Sequence, residues 1–175
     1  MSLREETSIQ KYDKILEMMN SESNQDYVKN LIIPTFKKID DFMLFVTEEQ
    51  IYLLSLIKRE HNHIEIKTSI ELFQLLELYG LSCLVYLSEL CNQKKSIPEI
   101  QNMNRSLFIK KNKDYGSSFE DFGYIGIIVR INDKINRLKS LYKTKSCNVD
   151  DESFEDTVND LYNYTILGLM YKENK

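Results

Sequence analysis

Apolar residues recur at three- and four-residue spacing along most of the chain, and strict alternation is absent, so the pattern predicts helices and no sheet. Several segments open on a hydroxyl followed three residues later by Glu or Gln, the capping box that satisfies orphan amides at a helix start. Thr47-x-x-Gln50 predicts a helix to about Glu60, with Ile51, Leu54 and Ile57 in phase. Thr68-x-x-Glu71 predicts the longest helix, to about Cys91; its apolar residues occupy most faces, which marks it as the buried centre. Ser96-x-x-Glu99, with Pro98 in the first turn, predicts a third, to about Lys111. Upstream, Ser8–Asn20 and Tyr27–Phe45 read as helices, the second starting or bending at Pro34. His61-Asn62-His63 reads as a turn, since an HxH pair with no third histidine is a poor metal site. The expected fold is all-α, a bundle of about six to seven helices around a buried central one.

Two helices near the C-terminus carry a polar pattern that packing alone does not require. From Tyr124 to Tyr142, Ile127, Ile128, Ile131, Ile135, Leu138 and Tyr142 fall in one arc, and Arg130, Asp133 and Arg137 lie opposite, within about 60° of one another. Those three form either an exposed ion-pair ladder or a carboxylate held by two phosphate-binding guanidiniums. In the last helix Glu152, Asp156, Asp160 and Asn163 project from one face, with Phe154, Val158, Leu161 and Thr165 on the other. The helix dipole accounts for Glu152 and Asp156 near the N-terminus, but not for Asp160. Like charges at i,i+4 repel, so Asp156 and Asp160 call for a shared cation such as Mg²⁺ or for an arginine between them. Before both helices, Lys110-Lys111-Asn112-Lys113-Asp114-Tyr115-Gly116 reads either as a helix C-cap or as an anion cradle, followed by the aromatics Phe119, Phe122 and Tyr124.

Composition narrows the possibilities. The chain has 175 residues, two prolines, five glycines, no tryptophan and no alanine, a length that suits one compact domain. A net charge of −4 argues against a general nucleic-acid coat. The charge is segregated: residues 110–145 hold nine Lys/Arg against four Asp/Glu, and residues 146–175 hold two against seven. Such neighbouring blocks either face each other, face one anionic ligand, or form a solvated surface. Cys83, Cys91 and Cys147 lack CxxC spacing, which suits a reducing, cytoplasmic setting. Met1–Gln10 is polar and does not read as a signal peptide, and the apolar run Leu78–Leu87 is too short for a bilayer. There is no glycine-rich phosphate loop, nucleophile elbow or Cys/His zinc array. With both histidines in one turn, any chemistry falls to carboxylates, Lys/Arg, Asn and Tyr.

Taken together, Lys113-Asp114-Tyr115-Gly116, Gly126 through Arg130, Asp133-Lys134, Arg137-Leu138, and Glu152, Asp156, Asp160, Asn163 and Tyr164 resemble the nucleotide modification associated domain family 1 of tailed phages and bacteria. The resemblance covers about residues 97–172, leaves residues 1–95 as an unrecognised helical part of the bundle, and implies a nucleotide-handling role in a phage-like setting. Asp156-Thr157-Val158-Asn159-Asp160-Leu161-Tyr162 also looks like the second acidic helix of the MazG-like nucleotide pyrophosphohydrolases, with its acids at i,i+4 instead of i,i+3. Their first motif, EExxE, is missing; Glu71 and Glu77 are a poor substitute. These resemblances imply Mg²⁺ on Asp133, Glu152, Asp156 and Asp160. They also imply a nucleotide touched by Lys113, Asp114, Tyr115, Arg130, Arg137 and Asn163. A Mg²⁺-dependent nucleotide phosphohydrolase, a non-catalytic binding module and a helical assembly protein are the readings left open.

Overall fold

The computed structural model describes residues 1, 3–61, 69–115, 123–144 and 151–172, and among them every regular element is helical. In order these are α1 (Leu3–Met19), α2 (Glu22–Tyr27), a π-helical turn (Val28–Ile32), α3 (Ile33–Thr35) and α4 (Ile39–His61). They are followed by α5 (Ser69–Val85), a second π-helical turn (Tyr86–Leu90), α6 (Ile97–Tyr115), α7 (Gly123–Lys143) and α8 (Asp151–Lys172). None of these helices is long and apolar enough to cross a membrane. The Asn62-His63 turn, Gly116, Phe119, Phe122 and Cys147 lie outside the described residues.

Helix α5 is the buried centre that its sequence announces. Leu72, Leu76, Tyr79, Cys83, Leu84 and Val85 are almost wholly shielded from solvent, and α8 packs along it on one side. Two glycines set how closely that pair approaches. A Cβ on Gly80 would lie 2.9 Å from the Met19 methyl and 3.0 Å from Thr165 Oγ1. One on Gly168 would lie 2.7 Å from Leu76 Cδ1 and 3.4 Å from Ile127 Cγ2. One continuous apolar core runs from Tyr12 and Ile15 in α1 through α4 and α5 to Ile131, Ile135, Leu161 and Ile166, so the helices before and after residue 95 share it. Tyr12 stacks on Phe108 at 4.6 Å, closing α1 onto α6.

Local chemistry explains where the helices differ from expectation. The segment predicted as one helix over 27–45 is broken at Phe36, which is extended (φ −89°, ψ 95°) two residues after Pro34. Helix α4 then restarts because Asp41 Oδ2 accepts from the amides of Lys37 and Lys38 at 2.9 and 3.0 Å. It therefore runs straight through Thr47, and the box predicted there caps nothing. Gln50 is buried and spends its side chain on α7 instead, donating to Asn132 Oδ1 and Asn136 Oδ1 at 2.8 Å each and accepting from Lys139 Nζ at 3.0 Å. The Ser96 box forms as expected: Ser96 N–H donates to Glu99 Oε2 at 2.8 Å and Glu99 N–H to Ser96 Oγ at 3.3 Å. Helix α1 begins earlier than Ser8, at Leu3, and Thr7 and Ser8 turn their hydroxyls back to the carbonyls of Leu3 and Arg4 as interior helical residues do.

Burial also sets a pH limit. Desolvation pushes the phenols of Tyr12, Tyr79 and Tyr162 and the thiol of Cys83 well above their ordinary values. Above about pH 9 to 10 the unfolded chain releases these protons while the folded chain keeps them, so stability is complete below that range and is lost as pH rises through it. Urea midpoints should fall between pH 7 and pH 10.5; equal midpoints would refute this.

Candidate functional site

Helices α7 and α8 run antiparallel. Lys134 Nζ meets Asp160 Oδ2 at 2.8 Å, while Ile127, two turns earlier on α7, lies beside Gly168, two turns later on α8. That register sets Arg130 level with Asn163 and Tyr164, and Arg137 level with Asp156 and Thr157. Arg130, Lys134 and Arg137 are spaced i, i+4, i+7, so they form one cationic stripe. On α8 the polar stripe spans an arc of about 100°. Asp160 occupies the edge turned to α7, and Asn159 the edge turned to α6.

The α6 edge is built from carboxamides. Asn104, almost wholly buried, donates to Asn159 Oδ1 at 2.9 Å and to its own helix at Ile100 O at 2.9 Å, and accepts from Asn163 Nδ2 at 2.7 Å. Both of its amide hydrogens and its oxygen are therefore engaged, which fixes the side chains of Asn159 and Asn163. One turn away, Gln101 and Asn20 exchange hydrogen bonds at 2.9 and 3.0 Å. Arg105 grips Asp13 through two contacts at 2.5 and 2.8 Å, holding α1 to α6. The polar strip of α8 is thus bordered by cations on the α7 edge and amides on the α6 edge, which makes it the candidate binding groove.

Several expected residues meet within this arrangement: Arg130 pairs with Asp133 as the spacing predicts, whereas Asp160 meets a lysine and not an arginine. Asp160 is neutralised by Lys134, one residue along from Asp133 and a member of the same stripe as the two arginines. Asp133 lies 100° round the helix from Lys134 and pairs with Arg130 at 4.0 Å, both largely exposed. Consequently Asp133, Asp156 and Asp160 do not form a three-ligand metal group among the described residues. Asp156 and Arg137 are exposed, and neither makes an ion pair with a described residue. Asn163 is committed to Asn104 and so holds the groove wall. Lys113 is exposed two residues before the end of α6, while the side chains of Asp114, Tyr115 and Glu152 lie outside the described set.

The sequence reading quotes Lys134 within the family pattern but gives it no site role, and it misses Asn104. On a 100° wheel Lys134 sits within about 60° of Arg130 and Arg137, and spacing alone would have found it. Asn104 left no comparable signal, because its importance depends on how α6 docks. Residues 111–171 match the model of the nucleotide modification associated domain 1 family. That match starts in the last turns of α6, includes all of α7 and ends one residue short of the end of α8, so it contains both stripes. It is shorter at its start than the resemblance over 97–172, and it carries no MazG-like assignment. Asn104 and the first half of α6 lie outside it. No curated protein and no solved structure matches the chain.

Proposed function

We propose that the groove on α8 binds the phosphate chain of a nucleotide together with a divalent cation. The observation that carries this reading is Arg137 and Asp156: opposite charges at the same level of a packed helix pair, inside the matched domain, and neither paired with a described residue. Had ion pairing been the whole purpose of the stripes, these two would close on each other as Lys134 and Asp160 do. In this reading Arg130, Lys134 and Arg137, about 4.5 to 6 Å apart in rise, run beside successive phosphates. Lys113 adds positive charge near the end of α6, and the roles left for Asp114 and Tyr115, next in sequence, are contacts to sugar or base.

Mg²⁺ commonly takes only one or two protein carboxylates and completes its shell with phosphate oxygens and water. Asp156, which is exposed, and Glu152, four residues before it in the sequence, suit that role in donor type and number. Asp160, held by Lys134, and Asp133, held by Arg130, tune the charge around it. A bound ion would polarise a phosphate oxygen. The residues of this chain supply charge neutralisation and alignment, and the Asn104–Asn159–Asn163 wall keeps α8 from rotating. A Mg²⁺-dependent phosphohydrolase is the catalytic form of this reading, and binding without turnover its non-catalytic form.

A panel of ribo- and deoxynucleoside mono-, di- and triphosphates, with and without Mg²⁺, tests it by thermal shift and phosphate release. At least one triphosphate should raise the melting temperature more with Mg²⁺ than without; saturation at 100 times Kd corresponds to about 2.7 kcal/mol. Phosphate or pyrophosphate release would assign the catalytic form, and stabilisation alone the binding form. No shift with any nucleotide would overturn both.

A further inference from the structure

A second cleft opens where the end of α7 and the start of α8 meet the links before α4 and α6, and none of Arg130, Lys134, Arg137, Asp156 and Asp160 lines it. Its volume is about 340 Å³, which falls in the range of small-molecule sites. Lys37, from the link before α4, and Lys94, from the link before α6, both line it, together with Tyr86, Phe154, Glu89 and Glu155. The attraction for an anion comes from side chains and not from the start of α4, because the amides of Lys37 and Lys38 are already taken by Asp41. Lys38 also lines the cleft but is engaged with Asp40 at 3.4 Å. Lys37 and Lys94 make no ion pair with any described residue. Two exposed lysines from chain segments nearly sixty residues apart thus line one cavity, and with Lys38 they outnumber Glu89 and Glu155, so the lining is net positive.

The rest of the lining restricts what that anion carries. Glu89 and Glu155 offer acceptors, so the ligand must also present O–H or N–H donors. The buried rings of Tyr86 and Phe154, 5.4 Å apart, give the wall a rigid aromatic base. Cys91 closes the floor, its thiol donating to Leu87 O at 3.1 Å, and burial beside Glu155 raises its pKa, so it serves as a neutral wall and not as a nucleophile.

We propose that this cleft is a second ligand site, for a small phosphomonoester that carries free hydroxyl or amino groups. A sugar phosphate and a nucleoside monophosphate share that chemistry. Isothermal titration of the full chain with AMP, ribose 5-phosphate, adenosine and inorganic phosphate tests it.

At least one of the two phosphomonoesters should bind, and adenosine and inorganic phosphate should bind at least tenfold more weakly. Lys37→Glu and Lys94→Glu, both at exposed positions, should each weaken that binding about tenfold or more, the loss of one charge-assisted contact. Asp156→Asn should leave it unchanged, which separates this site from the groove on α8. Binding of both esters, or of one alone, supports the proposal and shows whether the base contributes. Failure of both esters, equal binding of inorganic phosphate or adenosine, or loss in Asp156→Asn with retention in the two lysine variants would overturn it.

Discussion

Gly168→Val should lower the unfolding free energy by roughly 3 kcal/mol, at the upper end of the usual range for overpacking a core. The position is interior to α8, where replacing glycine normally stabilises a helix by up to about 1 kcal/mol. Here the added Cβ would already stand 2.7 Å from Leu76 Cδ1, a contact that a leucine tip can relieve only by moving into packed neighbours. Gly168→Ala should therefore come out near neutral, with propensity offsetting the clash. The two γ carbons of valine find no such relief, because Ile127 closes the remaining side at 3.4 Å from the Cβ. In a chain of this length 3 kcal/mol corresponds to about 6 to 12 °C in melting temperature. Urea unfolding of the alanine and valine variants together checks the assignment. Equal, small effects of both would show that the helices do not approach closely at this point.

Lys134→Glu should reduce nucleotide binding far more than it reduces stability. The Lys134–Asp160 pair is partly exposed, with side chains 25% and 40% accessible, so solvent screens it and its loss costs about 1 kcal/mol or less. Reversal adds a comparable repulsion from Asp160, for a total of about 1 to 2 kcal/mol. For a polyanionic ligand the consequence is larger, since the central cation of Arg130–Lys134–Arg137 becomes an anion in the middle of its path. Affinity for a Mg²⁺–triphosphate should fall about a hundredfold, on the order of 2.7 kcal/mol. Lys134→Met keeps most of the side-chain volume and should lose only about tenfold. Equal affinity in wild type and Lys134→Glu would show that the stripe serves helix packing alone.

How far the sequence could be read depended on what each residue contacts. Features with a helical period were legible: the buried α5, the amphipathic α7, and the stripe on α8 all follow from spacing. The Ser96–Glu99 cap was legible because both partners lie within one turn. Thr47–Gln50 carries the same local pattern and misled, because a distant helix competes for Gln50 and the chain is already helical eight residues earlier. Pairing was the least legible feature. The spacing of Asp133 to Arg130 and Arg137 suggested a carboxylate between two guanidiniums, whereas the docking of α7 on α8 turns Lys134, and not Asp133, toward Asp160. Asn104 and Gln50 share the same reason: a side chain whose partners lie more than fifty residues away has no local signature.

Arg137 and Asp156, exposed and without an ion pair to a described residue, are the centre of the proposed nucleotide site. The most direct measurement is calorimetric titration of a nucleoside triphosphate that stabilises the wild-type chain, with Mg²⁺ present, into wild type, Asp156→Asn and Arg137→Glu. Both substitutions are at exposed positions, so folding should be unaffected. The expected result is at least a tenfold loss of affinity in each variant, with Asp156→Asn also removing the difference between titrations with and without Mg²⁺. Wild-type affinity and Mg²⁺ dependence in both variants would contradict it and place the nucleotide elsewhere on the molecule.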